Sequence, residues 1–125
     1  MTYFLFLVFQ LKHFVVDFLM QGPYQFLNKG TYGHPGGILH SGLHAATTFL
    51  IFVMLWGAGI GSIPLAALLA VVEFLIHYHI DWAKVQINKR YQWKPDTSKE
   101  FWFLLGLDQL LHQLTYIGLI LAVLL

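Results

Sequence analysis

The stretch IPLAALLAVVEFLIHYHIDWA, Ile63–Ala83, decides the fold. It is apolar for most of its length, and roughly 20 such residues in a helix cross a hydrocarbon core of about 30 Å. Towards its end it carries His77 and Asp81, which a helix places on one face. An apolar span with an imidazole and a carboxylate on the same side reads as a membrane helix lining a polar site.

Three further stretches repeat the pattern. Thr2–Gln21, Ile38–Trp56 and Phe101–Leu125 are each close to spanning length, and they carry His13/Asp17, His40/His44 and Asp108/His112 at the same spacing. Bundling such helices gathers all of these heads in one place. The expected fold is all-α, an integral membrane four-helix bundle with antiparallel up-down topology. The whole chain, residues 1–125, reads as a single transmembrane domain, with helices at about 2–21, 38–56, 63–90 and 99–125.

Composition agrees with this reading. The chain has 125 residues, 58% of them hydrophobic and 10% charged, with a mean hydropathy of +0.65. Soluble domains carry about 25% charged residues. The first stretch lacks a basic leader and an Ala-x-Ala-like cleavage site and contains Lys12, His13 and Asp17, so it is expected to remain as a permanent helix. A net charge of +1, with no block of basic and aromatic residues, argues against a nucleic-acid surface. The absence of cysteine excludes thiolate ligands and a cysteine nucleophile, so any metal must be held by nitrogen and oxygen.

The distribution of basic residues predicts orientation. Lys29 lies in the first connection, and Lys84, Lys89, Arg90, Lys94 and Lys99 lie in or beside the third, whereas the second, Gly57–Ser62, has none. Basic short loops stay in the cytoplasm, which puts connections one and three inside, both termini on the outer side, and a multi-pass protein in the inner membrane. Trp82, Tyr91, Trp93 and Trp102 then form an aromatic belt at that boundary. At about 1.5 Å per residue, all four pairs fall within roughly 5–18 Å of the cytoplasmic surface. The spacing rule alone does not require that shared depth.

An ionised carboxylate at mid-membrane costs about 2.5–3.5 kcal/mol, so Asp17, Asp81 and Asp108 need compensation. A divalent metal supplies it. The expected ligands are His13, Asp17, His40, His44, His77, Asp81, Asp108 and His112, holding one or two ions, zinc first and then iron or manganese. The alternative is a metal-free network in which Asp–His hydrogen bonds tie the helices together. Four pairs at one depth favour the metal. Gln10, Gln21, Thr47 and Thr115 continue the same faces and are expected to orient the ligands. Glu73, four residues before His77, and Asp81 are the candidate general bases. Lys29 is placed to contact an anionic headgroup or phosphate, and Lys12 to snorkel to the surface. His79 lies off the His77 face and His34 in a loop, so neither is a primary ligand.

The combination of His13-Phe14-Val15-Val16-Asp17-Phe18, Gln21, Asn28-Lys29, His40, His44, His77 to Asp81 and Asp108-Gln109-Leu110-Leu111-His112 resembles a bacterial and phage family of small four-helix membrane proteins, a domain of unknown function. More distantly, the repeated His-x-x-x-Asp pattern is similar to inner-membrane proteins described as membrane-bound metal-dependent hydrolases. That resemblance implies a metal more directly than a reaction. His40/His44 departs from it, standing where a further His/Asp pair is expected.

The function expected is metal-dependent hydrolysis of a lipid headgroup or small phosphate ester from the cytoplasmic side, with Glu73 or Asp81 taking the proton from a metal-bound water. One alternative is a metal-ion or proton pathway. It would need a homo-oligomer, because four helices make a thin wall for a channel. Another is a holin-like or structural membrane protein. That role accounts for the size and not for the buried ionisable groups.

Overall fold

In the computed structural model, which describes residues 1–125, the chain is all-helical with no strand. The helices are α1 (Thr2–Phe14), which runs on as a single π-helical turn over Val15–Leu19, then α2 (Pro23–Phe26), α3 (Pro35–Gly57), α4 (Ile63–Tyr91) and α5 (Lys99–Leu124). Four segments, Thr2–Leu19, Pro35–Gly57, Ile63–Tyr91 and Lys99–Leu124, are long and apolar enough to cross a membrane.

Local chemistry sets the boundaries. Pro35 occupies the first turn of α3, where its missing N–H costs nothing, and the His34 ring accepts from the Gly36 N–H at 3.0 Å. Ser62 caps α4 by accepting from the Leu65 N–H at 3.3 Å. The tight link between α3 and α4 turns through Gly59 and Gly61, at φ of 84° and 77°, which side chains beyond glycine rarely adopt. α4 stops where Gln92 takes a left-handed conformation.

The π turn has consequences for the site. It closes with the Met20 N–H donating to the Val15 carbonyl at 3.0 Å, and it holds Asp17 at its centre. One wide turn rotates everything beyond it relative to a regular helix, and such turns recur at functional sites.

The bundle is polar within and apolar without. Leu5, Phe9, Phe52, Leu55, Ala66, Leu69, Tyr116, Leu119, Ile120 and Val123 form an apolar core. Beyond it the interior is filled by Lys12, His13, His40, His44, Glu73, His77, Asp81, Asp108 and His112, all buried. Phe4, Phe18, Leu50, Met54, Phe103 and Leu114 point outward and are more than half exposed. In water that arrangement would be unfavourable, and in lipid it is the expected one.

Candidate metal centre

Every long helix delivers side chains to one buried cluster. Asp17, His40, His44 and His77 each offer a ligand atom within 4.8 Å of the others, and His77, Asp81 and His112 form a second such group. His40, His44 and His77 are at most 1% exposed. Within the first group Asp17 Oδ1 lies 2.9 Å from His44 Nε2 and 3.2 Å from His40 Nε2, and His40 Nε2 lies 3.2 Å from His77 Nε2.

Three of these spacings match a tetrahedral ion, while Asp17 and His77 stand farther apart, within 4.8 Å, and would have to draw together around it. With metal–ligand bonds of 2.0–2.1 Å, the edge of the tetrahedron is about 3.3 Å. Three imidazoles and one carboxylate are also a suitable donor set for zinc, iron or manganese. The first group therefore suits an ion by its chemistry and by the His44–Asp17, His40–Asp17 and His40–His77 spacings.

Surrounding hydrogen bonds orient the rings and bear on which ring nitrogens carry protons. His40 Nδ1 is 3.2 Å from Gln25 Oε1, and Gln25 is itself oriented by its Nε2, which donates to the Met20 carbonyl at 3.1 Å. An amide oxygen only accepts, so His40 Nδ1 carries a proton; a neutral ring then presents a lone pair at Nε2, whereas an imidazolium donates from it. That nitrogen faces Asp81 Oδ2 at 3.2 Å as well as Asp17 and His77.

His44 is fixed by a longer relay. Asp108 Oδ2 accepts from Lys84 Nζ at 2.9 Å and from Gln109 Nε2 at 3.1 Å, which turns Gln109 Oε1 to His13 Nε2 at 2.9 Å. A neutral His13 is then protonated at Nε2, which also lies 3.1 Å from Asp17 Oδ2. Its Nδ1 accepts from the Tyr116 hydroxyl at 2.7 Å, and the Tyr116 oxygen meets His44 Nδ1 at 3.4 Å. Without an ion His44 Nε2 is the donor to that acceptor-only Asp17 oxygen; with its proton on Nδ1 toward Tyr116, the neutral ring would offer Nε2 as a lone pair instead. At the centre of the cluster ring Nε2 atoms therefore face carboxylate oxygens, as N–H donors to them or, with the protons on Nδ1, as lone pairs that a cation would join to those oxygens.

The second group is less complete. His112 Nε2 lies 3.5 Å from both Asp81 Oδ1 and Asp108 Oδ1. His112 Nε2, Asp108 Oδ1 and His77 Nδ1 are buried without a hydrogen-bond partner. His77 belongs to both groups, so two ions would have to share it through its two ring nitrogens.

Several residues sit differently from what their spacing implies. His13 falls in neither ligand group, and both of its nitrogens are engaged by Tyr116 and Gln109, so it positions Asp17 and His44. Glu73 pairs with Lys12 and lies outside the ligand groups, with Oε2 unpartnered. Lys12 does not snorkel: its side chain is 4% exposed, because the Glu73 carboxylate offers it an ion pair inside the bundle. Lys29 folds inward from its loop onto Asp81 Oδ2 at 3.1 Å and Gln21 Oε1 at 2.8 Å. Gln21 accordingly reaches the cluster through Lys29 and through its own Nε2, which donates to the Asp17 backbone carbonyl at 3.0 Å. Gln10 bonds Gln113, while Thr47 and Thr115 return their hydroxyls to carbonyls of their own helices, so none of the three orients a ligand.

Charge is nearly balanced without a metal. Lys12, Lys29 and Lys84 stand against Asp17, Glu73, Asp81 and Asp108, so the carboxylates are not left bare as spacing alone implies. Convergence of ring nitrogens and a carboxylate oxygen, not uncompensated charge, is what favours an ion here.

The sequence profile of one protein family, described as a protein of unknown function (DUF3307), matches residues 5–125. The chain belongs to that family. No curated protein and no solved structure matches it. The DUF3307 description carries no activity, and nothing in it supports the likeness to membrane-bound hydrolases or a bacterial or phage origin. For this DUF3307 chain the buried His/Asp cluster is therefore the feature from which function has to be argued.

Gln25, Tyr116, Gln109 and Lys84 belong to the site and are not among the spaced pairs. Tyr116 lies four residues after His112, and Lys84 three after Asp81, so continuing each helical face finds both. Gln25 has no such signal, since its helix is one turn long.

Proposed function

We propose that this chain is a membrane-embedded metal protein in which Asp17, His40, His44 and His77 hold a divalent ion, zinc before iron or manganese, and that it hydrolyses a lipid headgroup or small phosphate ester. The observation that carries the reading is the convergence of His40 Nε2 and His44 Nε2 on one Asp17 oxygen, at 3.2 and 2.9 Å. When bound, such an ion makes a nucleophile of water at neutral pH and polarises the scissile group.

The chain's own residues supply the rest. Asp81 stands 3.2 Å from His40 Nε2 and 3.4 Å from His77 Nε2, beside the ion position, and is the group placed to take a proton from water there. Gln25, His13 and Tyr116 hold the imidazole tautomers. His77, Asp81 and His112 offer the position for a second ion, with Asp108, which falls in neither ligand group, 3.5 Å from His112. The bundle is read as a single up-down domain of the inner membrane, with connections one and three cytoplasmic. Lys89, Arg90, Lys94 and Lys99 support that orientation.

A second reading has its own support. His40, His44, His77, Asp81, Asp108 and His112 are at most 3% exposed, which suits an ion that is carried or stored as well as one that meets a substrate. Elemental analysis of the detergent-purified protein tests the shared premise, expecting bound zinc in the wild type and a loss in His44→Ala. Release of phosphate or fatty acid from phospholipid then supports hydrolysis. Radiolabelled zinc flux in liposomes without such release replaces hydrolysis with transport.

A further inference from the structure

Resting on the metal reading, we infer that Lys29 and Lys84 form an anion-binding rim over the ion, specific for a phosphoryl oxyanion. The two ammonium groups approach one carboxylate from opposite oxygens: Lys29 Nζ is 3.1 Å from Asp81 Oδ2, and Lys84 Nζ is 3.6 Å from Asp81 Oδ1. Asp81 in turn lies beside the ligand nitrogens of His40 and His77. Both lysines therefore stand within a few ångströms of where the ion and its water would sit.

Each lysine has donor capacity left. An ammonium has three N–H bonds. Lys29 directs two of them, to Gln21 Oε1 and Asp81 Oδ2, and Lys84 directs one to Asp108 Oδ2 and lies near a second oxygen on Asp81. At least one N–H on each remains for an incoming oxygen. These lysines and Asp17 are the more accessible parts of the cluster, with side chains 11%, 15% and 11% exposed, whereas His40, His44 and His77 are almost completely covered.

Charge balance selects the sign of that ligand. Asp17, Glu73, Asp81 and Asp108 exceed Lys12, Lys29 and Lys84 by one negative charge when the imidazoles are neutral. A divalent ion reverses this to one positive charge, inside a span where uncompensated charge is expensive. An anion restores balance, and a tetrahedral phosphoryl group has enough oxygens to reach two ammonium groups and an ion together.

The test is calorimetric titration of inorganic phosphate into the purified full chain, with zinc content measured first. Zinc-loaded wild type is expected to bind phosphate at least tenfold more tightly than the zinc-free protein. Lys29→Gln and Lys84→Gln are each expected to weaken binding tenfold or more with zinc content unchanged, and Lys84→Arg to retain it. Displacement of the bound phosphate by phosphatidic acid in mixed micelles, and not by glycerol phosphate, assigns the group to a lipid headgroup. The reverse assigns it to a soluble ester. Zinc-loaded protein that ignores phosphate, phosphate that neither ester displaces, or both Gln variants binding as wild type overturns the rim alone. Absence of zinc overturns the metal reading and the rim with it. Should a Gln variant lose helical content or zinc, the zinc dependence of phosphate binding by the wild type decides.

Discussion

Gln25 Oε1 lies 3.2 Å from His40 Nδ1, and through that contact a one-turn helix in the first connection governs a nitrogen deep in the bundle. The amide holds the His40 proton on the far side of the ring from Asp17, leaving Nε2 available to an ion. Outer hydrogen bonds of this kind commonly change metal affinity by about 10–100-fold. Gln25→Leu is accordingly expected to weaken zinc binding by that order while leaving the helical content unchanged. Competition against a zinc chelator, with circular dichroism alongside, measures both. Unchanged affinity would mean that His40 does not need this tautomer.

His13 and His44 separate positioning from ligation. Both rings are buried and both touch Asp17, but only His44 belongs to the four-atom group. His44→Ala should abolish stoichiometric zinc, whereas His13→Ala should retain it with an affinity lower by about 10–100-fold. Zinc-to-protein ratios, followed by a chelator titration, distinguish the two. Equal loss in both variants would make His13 a ligand after all.

Much of this was legible in the chain and some was not, for physical reasons. Spacing of four identifies a helix face, so His40/His44, His77/Asp81 and Asp108/His112 could be grouped from sequence and are brought together in space. A face does not name its partner. Lys12 has the composition of a snorkelling residue, and only packing reveals that Glu73, 61 positions away, meets it inside the bundle. The π turn that carries Asp17 follows from no local preference of Val15–Leu19, and Gln25 sits in a segment whose only sequence signal is turn chemistry. Lysines facing inward altered the argument most, because they offset carboxylates that hydropathy alone leaves for a metal.

The Lys12–Glu73 pair should be costly to break and cheap to replace. Their side chains are 4% and 0% exposed, and the Lys12 ammonium also lies 4.7 Å from the centre of the Tyr116 ring. Removing one member of a buried pair strands the other charge, at about 3–5 kcal/mol, while removing both is often nearly neutral. Lys12→Met should thus destabilise the protein by about that amount and Lys12→Met with Glu73→Gln by much less, as read from unfolding in mixed micelles. Additive losses would show that the two groups do not act as a pair.

Gly36 tests whether the fold of the first connection matters to the metal centre. A Cβ added there would run into the Tyr24 carbonyl oxygen and stand 3.1 Å from Asn28 Cβ, so the start of α3 packs directly on the backbone of α2. Backbone cannot step aside as a flexible side chain does, and forcing it costs about 1–3 kcal/mol. Because α2 carries Gln25, displacing it also withdraws the acceptor from His40 Nδ1. Gly36→Ala is therefore expected to lose stability and zinc affinity together. Gly42→Ala, on the same helix with nothing within 4 Å of its added Cβ, should change neither adversely. If Gly36→Ala binds zinc like the wild type, α2 is a surface feature and the tautomer of His40 is set elsewhere.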